Sequence, residues 1–150
     1  MRIVIQRVIR GSVVINNVET RSIGMGLVVF LGIEHRDDNR DVEWLLRKLL
    51  QMRIFSDVEN KMNLSLLDVG GDLLIISQFT LMASTKKGNR PSFIEAANPS
   101  QAIPLYEHFI TMAESALPGK VFYGEFGADM KVSLINDGPV TIIVDSQNRK

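Results

Sequence analysis

Residues able to do chemistry are sparse in this chain, and the scarcity narrows what it can be. There is no cysteine, and the only histidines are His35, in a charged turn, and His108, on the polar side of a helix-like segment. Neither stands near a serine with a carboxylate partner, so a Ser-His-Asp arrangement has little support. No His-Glu-x-x-His pair or Asp-rich calcium loop occurs, and Gly24-Met25-Gly26 lacks the third glycine and the helix of a dinucleotide loop. No metal and no nucleotide cofactor is therefore expected. What remains is a polar interruption at a strand end, where Leu73-Leu74-Ile75-Ile76 gives way to Ser77-Gln78-Phe79-Thr80. Two readings fit it. Either the strand runs on through a kink with its polar groups satisfied by neighbours, or hydroxyls, a carboxamide and free backbone N–H groups leave the sheet, ready to stabilise an ester oxyanion. A hydroxyl attacks only if a base removes its proton, and no base lies nearby in sequence. The second unusual feature is Gly138-Pro139 within Asn136-Asp137-Gly138-Pro139, which reads as a hairpin tip. Roughly 5–6% of X-Pro bonds in folded proteins are cis, so the letters alone do not fix the isomer.

The elements that must position these groups are short. Ile3-Val4-Ile5 and Val13-Val14-Ile15 flank Gly11 and read as two strands, followed by a turn at Asn16-Asn17. Residues 25–33 form an apolar run typical of a strand buried on both faces. Asp37-Asp38-Asn39 starts a helix, in which Val42, Leu45, Leu46, Leu49 and Leu50 share one side. Arg53-Ile54-Phe55 returns to strand, and Gly70-Gly71-Asp72 turns into the strand ending at Ser77. A second helix is expected over roughly 101–116, with Pro104 in its first turn, where a missing N–H costs least. Three strands follow, at 121–126, 131–135 and 140–145, the last two joined across Asn136 to Pro139. The expected fold is α+β: one domain over residues 1–150, a mostly antiparallel, barrel-like sheet, and two main helices covering one side.

Bulk properties fit that picture. A chain of 150 residues can bury a sizeable core, and 45% hydrophobic with 23% charged residues is ordinary for a soluble globular protein. The longest apolar runs, such as 27–32 and 73–76, are far too short to span a bilayer, so no membrane association and a cytoplasmic setting are expected. Seventeen basic residues balance seventeen acidic ones. A protein that grips long stretches of phosphate backbone carries a basic excess, so any nucleic-acid contact should be local. The obvious patch is Lys86-Lys87-Gly88-Asn89-Arg90.

Taken together, Ser77-Gln78-Phe79-Thr80-Leu81 and Asn136-Asp137-Gly138-Pro139-Val140-Thr141 resemble the two signatures of the D-aminoacyl-tRNA deacylase family. Gln6-Arg7-Val8, Arg53 to Asp57 with Lys61 to Leu64, Arg90-Pro91-Ser92-Phe93 and Phe126 to Met130 resemble further family segments, in the family's order. The resemblance covers nearly the whole chain. It implies a homodimer, with its site at the subunit interface, that hydrolyses the ester joining a D-amino acid to the terminal adenosine of tRNA. Glycine on a non-cognate tRNA is also an implied substrate. Ser77, Gln78, Phe79 and Thr80 become the catalytic segment, with the backbone at Phe79 and Thr80 receiving the carbonyl and amino group. Gly138 and Pro139, joined by a cis bond in the family, would enter the partner's site and exclude L-amino acids. Arg7 would brace that loop with Asn136 in support, while Met130 and Phe93 would line the pocket. Lys86, Lys87 and Arg90 are candidate phosphate contacts. Competing readings are a binder of aminoacyl-tRNA ends without turnover, a related deacylase acting on an L-aminoacyl-tRNA, and a structural subunit.

Overall fold

The computed structural model describes residues 1–149. Its organising element is β1 (Arg2–Ile15), which alternates buried and half-buried positions and serves three neighbours. β2 (Glu19–Ile23) and β3 (Gly26–Gly32) share one of its edges, and the whole of the other is taken by β8 (Met130–Asp145), all antiparallel. The expected break at Gly11 does not occur. A side chain there would press within 2.8 Å of a Val28 methyl, so this glycine serves close packing rather than a turn. The turn falls at Asn16 and Asn17, whose φ values of 51° and 57° suit asparagine better than most residues.

Beyond β3 the sheet changes sense. β6 (Asp72–Ser77) lies parallel to β3, and β7 (Val121–Tyr123) parallel to β6, so the sheet is mixed, with the antiparallel pairs of β1 in the majority as expected. The apolar runs of β3 and β6 follow from this, because parallel strands are covered on both faces. A separate two-stranded piece pairs β4 (Phe55–Ser56) with β5 (Met62–Leu64), leaving Arg53 and Ile54 outside the strand expected for them.

Helices α1 (Asn39–Gln51) and α3 (Pro99–Ala116) cover one face, and α2 (Leu66–Val69) adds a single turn. α1 begins as expected, with Asp38 accepting from the Arg40 N–H and Asp41 reaching back to the Asp38 N–H. Its buried Val42, Leu45, Leu46, Leu49 and Leu50 join Ile3, Ile5, Leu27, Val29, Leu73, Ile75 and Phe109 in the main core. Each such side chain contributes roughly 1.5–3 kcal/mol relative to exposure. A second core, around Val8, Val13, Val28, Leu74 and Ile76, lies on the opposite face under Met130, Val132 and Leu134. α3 starts earlier than expected, capped by Asn98, so Pro104 sits in its second turn. The proline is exposed, where water can satisfy the carbonyl it leaves without a donor.

The largest correction concerns the C-terminal strands. Residues 130–145 form one strand, both halves of which pair with β1. Gln6 faces Thr141 and Val8 faces Asn136, so residues 137–140 stand where β1 supplies only Arg7. Gly138-Pro139 is thus the crest of a bulge in a continuous strand, not the tip of a hairpin. The local letters of a hairpin turn and of such an insertion are the same; only the shared partner tells them apart.

Candidate active site

Two groups of residues emerge, and they lie apart. The first is at the C-terminal end of β6. Ser77 still pairs beside Leu31, and the Gln78 N–H donates to the Leu31 carbonyl at 2.8 Å. The chain then tightens into a 3-10 turn over Phe79–Met82. Gly32 leaves room for that turn, since a side chain there would press within 2.9 Å of Leu81. Arg2 secures it from below: its guanidinium donates to the Leu81 carbonyl at 2.7 Å and pairs with Asp145 at 2.8 Å.

The first turn of any helix leaves N–H groups without intrahelical partners. Among the described residues, the N–H groups of Phe79 and Thr80 have no protein acceptor. The Gln78 carboxamide donates to the Thr80 hydroxyl at 2.5 Å, so the carboxamide orients the hydroxyl but cannot deprotonate it. A cleft of about 360 Å³ opens beside this segment, with Ser77, Gln78 and Phe79 on one side and Phe126, Ala128 and Met130 on the other. The Phe79 ring, 55% exposed, meets Phe93 edge-on at 5.2 Å between centroids. Ser77, Gln78, Phe79, Thr80, Phe93 and Met130 are therefore brought together.

Lys86, Lys87 and Arg90 occupy an exposed loop closed by backbone pairing of Ser84 with Ser92. Among the described residues none of the three forms an ion pair. The loop follows the 3-10 turn directly and leads into Phe93, so it borders the first group.

The second group surrounds the bulge. Asn136 clasps it, accepting from the Val140 N–H at 2.8 Å and donating to the Val140 carbonyl at 3.2 Å. Arg7, only 9% exposed, donates to the Ile54 carbonyl at 2.5 Å, and its Nε lies 3.1 Å from the Asp137 carboxylate. That Nε–H is not aligned for a hydrogen bond, so the Arg7–Asp137 contact is one of charge. The Gly138–Pro139 bond is cis, Gly138 has φ 116°, and both residues are exposed. Neither lines the cleft of its own chain.

Arg2, Tyr106 and Phe126 were not picked out individually from the sequence, although each touches this site. For Tyr106 a signal existed, since a tyrosine on a buried helix stripe needs a partner for its hydroxyl. A larger cavity of about 960 Å³, between α1 and β8 around Trp44, contains none of the candidate residues. Among the described residues no group of three His, Cys, Asp or Glu is placed to hold a metal, and no helix is long and apolar enough to cross a membrane.

Fold and site together define a class: α+β proteins with a mixed, nearly closed sheet and a largely apolar cleft bordered by unpartnered main-chain N–H groups and the Ser77 hydroxyl, with no histidine in its walls. A family model described as D-Tyr-tRNA(Tyr) deacylase matches residues 4–145, and the chain belongs to that family. A relative from Cytophaga hutchinsonii, named D-aminoacyl-tRNA deacylase, is 61% identical over 147 residues, 98% of each chain. One of the same name from Akkermansia muciniphila is 58% identical over the full length of both. Among solved structures, one named c-Myc DNA Unwinding Element Binding Protein superposes with TM-score 0.91 at 38% identity, over 97% of this chain and 98% of that one. Another, described as a probable eukaryotic D-amino acid tRNA deacylase, shares the fold at TM-score 0.83 and 21% identity, over 95% and 97%.

Proposed function

We propose that this chain hydrolyses the ester of D-aminoacyl-tRNA, and of glycine mischarged on a non-cognate tRNA, releasing free amino acid and tRNA. The observation that carries this reading is the pair of unpartnered N–H groups at Phe79 and Thr80, beside a cleft of a size to hold an aminoacyl-adenosine end. Water adds to the ester carbonyl, and the oxyanion so formed accepts from those two donors. Collapse expels the ribose 3′-oxygen, which takes the proton of the neighbouring 2′-hydroxyl while the 2′-oxygen takes the proton given up by the attacking water, so both ribose hydroxyls end protonated. The substrate thereby supplies the proton relay that the side chains lack, and Thr80 has no base to make it a nucleophile.

Selection against L-amino acids is assigned to Gly138 and Pro139. Their exposure, and their absence from their own cleft, support a homodimer in which each bulge enters the partner's site. Met130 lines the pocket and Phe93 backs it through the Phe79 ring, Arg7 and Asn136 hold the bulge, and Lys86, Lys87 and Arg90 contact phosphates near the acceptor end.

The test is incubation with D-tyrosyl-tRNA and L-tyrosyl-tRNA. Release from the D ester alone is expected. Release from the L ester would put this chain with L-acting enzymes, and binding without release would make it an RNA-end binder. A dilution series that left a fully active monomer would overturn the shared site.

A further inference from the structure

The two walls of the cleft diverge from a single fork. β6 and β7 run together only through Leu73 to Ile75 and Val121 to Tyr123. Past that point β6 leads Ile76 to Phe79 into one wall, and the chain after β7 leads Phe126 to Met130 into the other. The fork is held at the base by the Gly124 N–H, which donates to the Ile75 carbonyl at 2.9 Å. Above it stands the hydroxyl of Tyr106, from α3, at 3.3 Å from that carbonyl and 3.2 Å from the carbonyl of Gly124. A phenol has one proton to donate, so the two diverging strands share it. Tyr106 is 3% exposed, and burial pushes its ionisation well above the usual range, leaving the hydroxyl a neutral donor.

Two contacts transmit this fork to the wall. The Tyr106 ring packs against the Phe126 ring at 5.9 Å between centroids. Gly124 lets the Met130 thioether sit against the backbone, because a Cβ there would fall 2.3 Å from its sulfur and push it aside. Phe126 and Met130 therefore stand where the fork puts them.

We propose that Tyr106 is a positioning residue whose hydroxyl fixes the spacing of the cleft walls, and so the fit of the aminoacyl-adenosine end bound between them. It touches no reacting atom and works through Phe126 and Met130. Removing its hydroxyl should loosen binding and leave the ester chemistry, at Phe79 and Thr80, nearly unchanged.

This rests on the deacylase reading, yet is measurable without turnover. The probe is 3′-(D-alanylamino)-3′-deoxyadenosine, whose amide replaces the scissile ester. Tyr106→Phe keeps the ring and should raise the Kd for this probe about tenfold, equivalent to about 1.4 kcal/mol. On D-aminoacyl-tRNA, KM should rise similarly while kcat stays within about twofold. Gly124→Ala, which displaces Met130 from the other side, should raise the same Kd with Tyr106 intact. An unchanged Kd in a folded Tyr106→Phe protein, or a fall in kcat at constant KM, would overturn the proposal. If the wild-type chain binds the probe but does not hydrolyse D-aminoacyl-tRNA, the deacylase reading falls and the Kd comparison still judges Tyr106. If the wild-type chain hydrolyses D-aminoacyl-tRNA without binding the probe, the deacylase reading stands and the KM comparison judges Tyr106; a chain that does neither overturns both.

Discussion

Arg7 faces Asp137 at 3.1 Å across the one place where β8 carries four residues to β1's one. The arginine is nearly buried, the aspartate about half exposed, and Gly138 has its α-carbon turned toward the same guanidinium. A cation under the bulge thus fixes its height above the sheet, while Asn136 fixes its width.

Arg7→Ala should lower D-aminoacyl-tRNA hydrolysis by about tenfold and narrow the preference for D over L substrates, because the bulge loses its support. Stability should fall as well. The Ile54 carbonyl loses its donor, and an orphaned buried acceptor costs about 1–3 kcal/mol. Paired L and D deacylation assays with a thermal melt separate the two effects; unchanged selectivity would free Arg7 of the role.

Thr80→Ala should keep most of the single-turnover rate, within a few-fold of wild type. The hydroxyl accepts from the Gln78 carboxamide, which is no base. Complete loss of turnover with tRNA binding intact would instead make Thr80 a covalent nucleophile.

Replacing Lys86, Lys87 and Arg90 together with glutamine should flatten the salt dependence of tRNA binding. Three contacts to a single strand correspond to a drop of about 2 in the slope of log K against log salt. All three are exposed, and none forms an ion pair among the described residues, so the melting temperature should not move. An unchanged slope would take the loop out of the interface.

Acid should weaken the strap under the 3-10 turn. Burial raises the Asp145 carboxyl, but the hydrogen bonds from Arg2 and the Gln147 N–H outweigh it, and the net direction is down. A carboxyl with a lowered folded value contributes stability above its unfolded value and loses it as the pH falls through the folded one. Asp145→Asn should therefore lower the melting temperature at pH 7 and narrow the difference between pH 7 and pH 3. An equal difference in both proteins would exclude Asp145 from the acid response.

The parts of this architecture legible in the sequence are those decided locally. The start of α1 is written in Asp38 and Asp41, the turn at Asn16-Asn17 in residues that tolerate positive φ, and the buried strands β3 and β6 in their apolar runs. The parts misread were decided by distant neighbours. Gly11 looks like a break, but is a gap filled by Val28; Gly138-Pro139 looks like a hairpin, but both its flanks pair with β1. Both site motifs were recognisable as family signatures. Two residues behind the first motif, Arg2 and Tyr106, were not, because each acts on backbone carbonyls remote in sequence, and a carbonyl leaves no mark in the letters.

β8 gives these motifs a ruler. Met130, in the wall of the cleft, and Asn136, at the foot of the bulge, lie on one strand, facing Ile15 and Val8 of β1, with Ile9 of β1 left over between them. Successive side chains of a strand point to opposite faces, so losing or gaining one residue between them would turn every later side chain over. The intervening letters are free to drift in the course of evolution, as long as alternation is kept; their number is not. Insertions and deletions should be selected against between residues 130 and 136 far more strongly than substitutions.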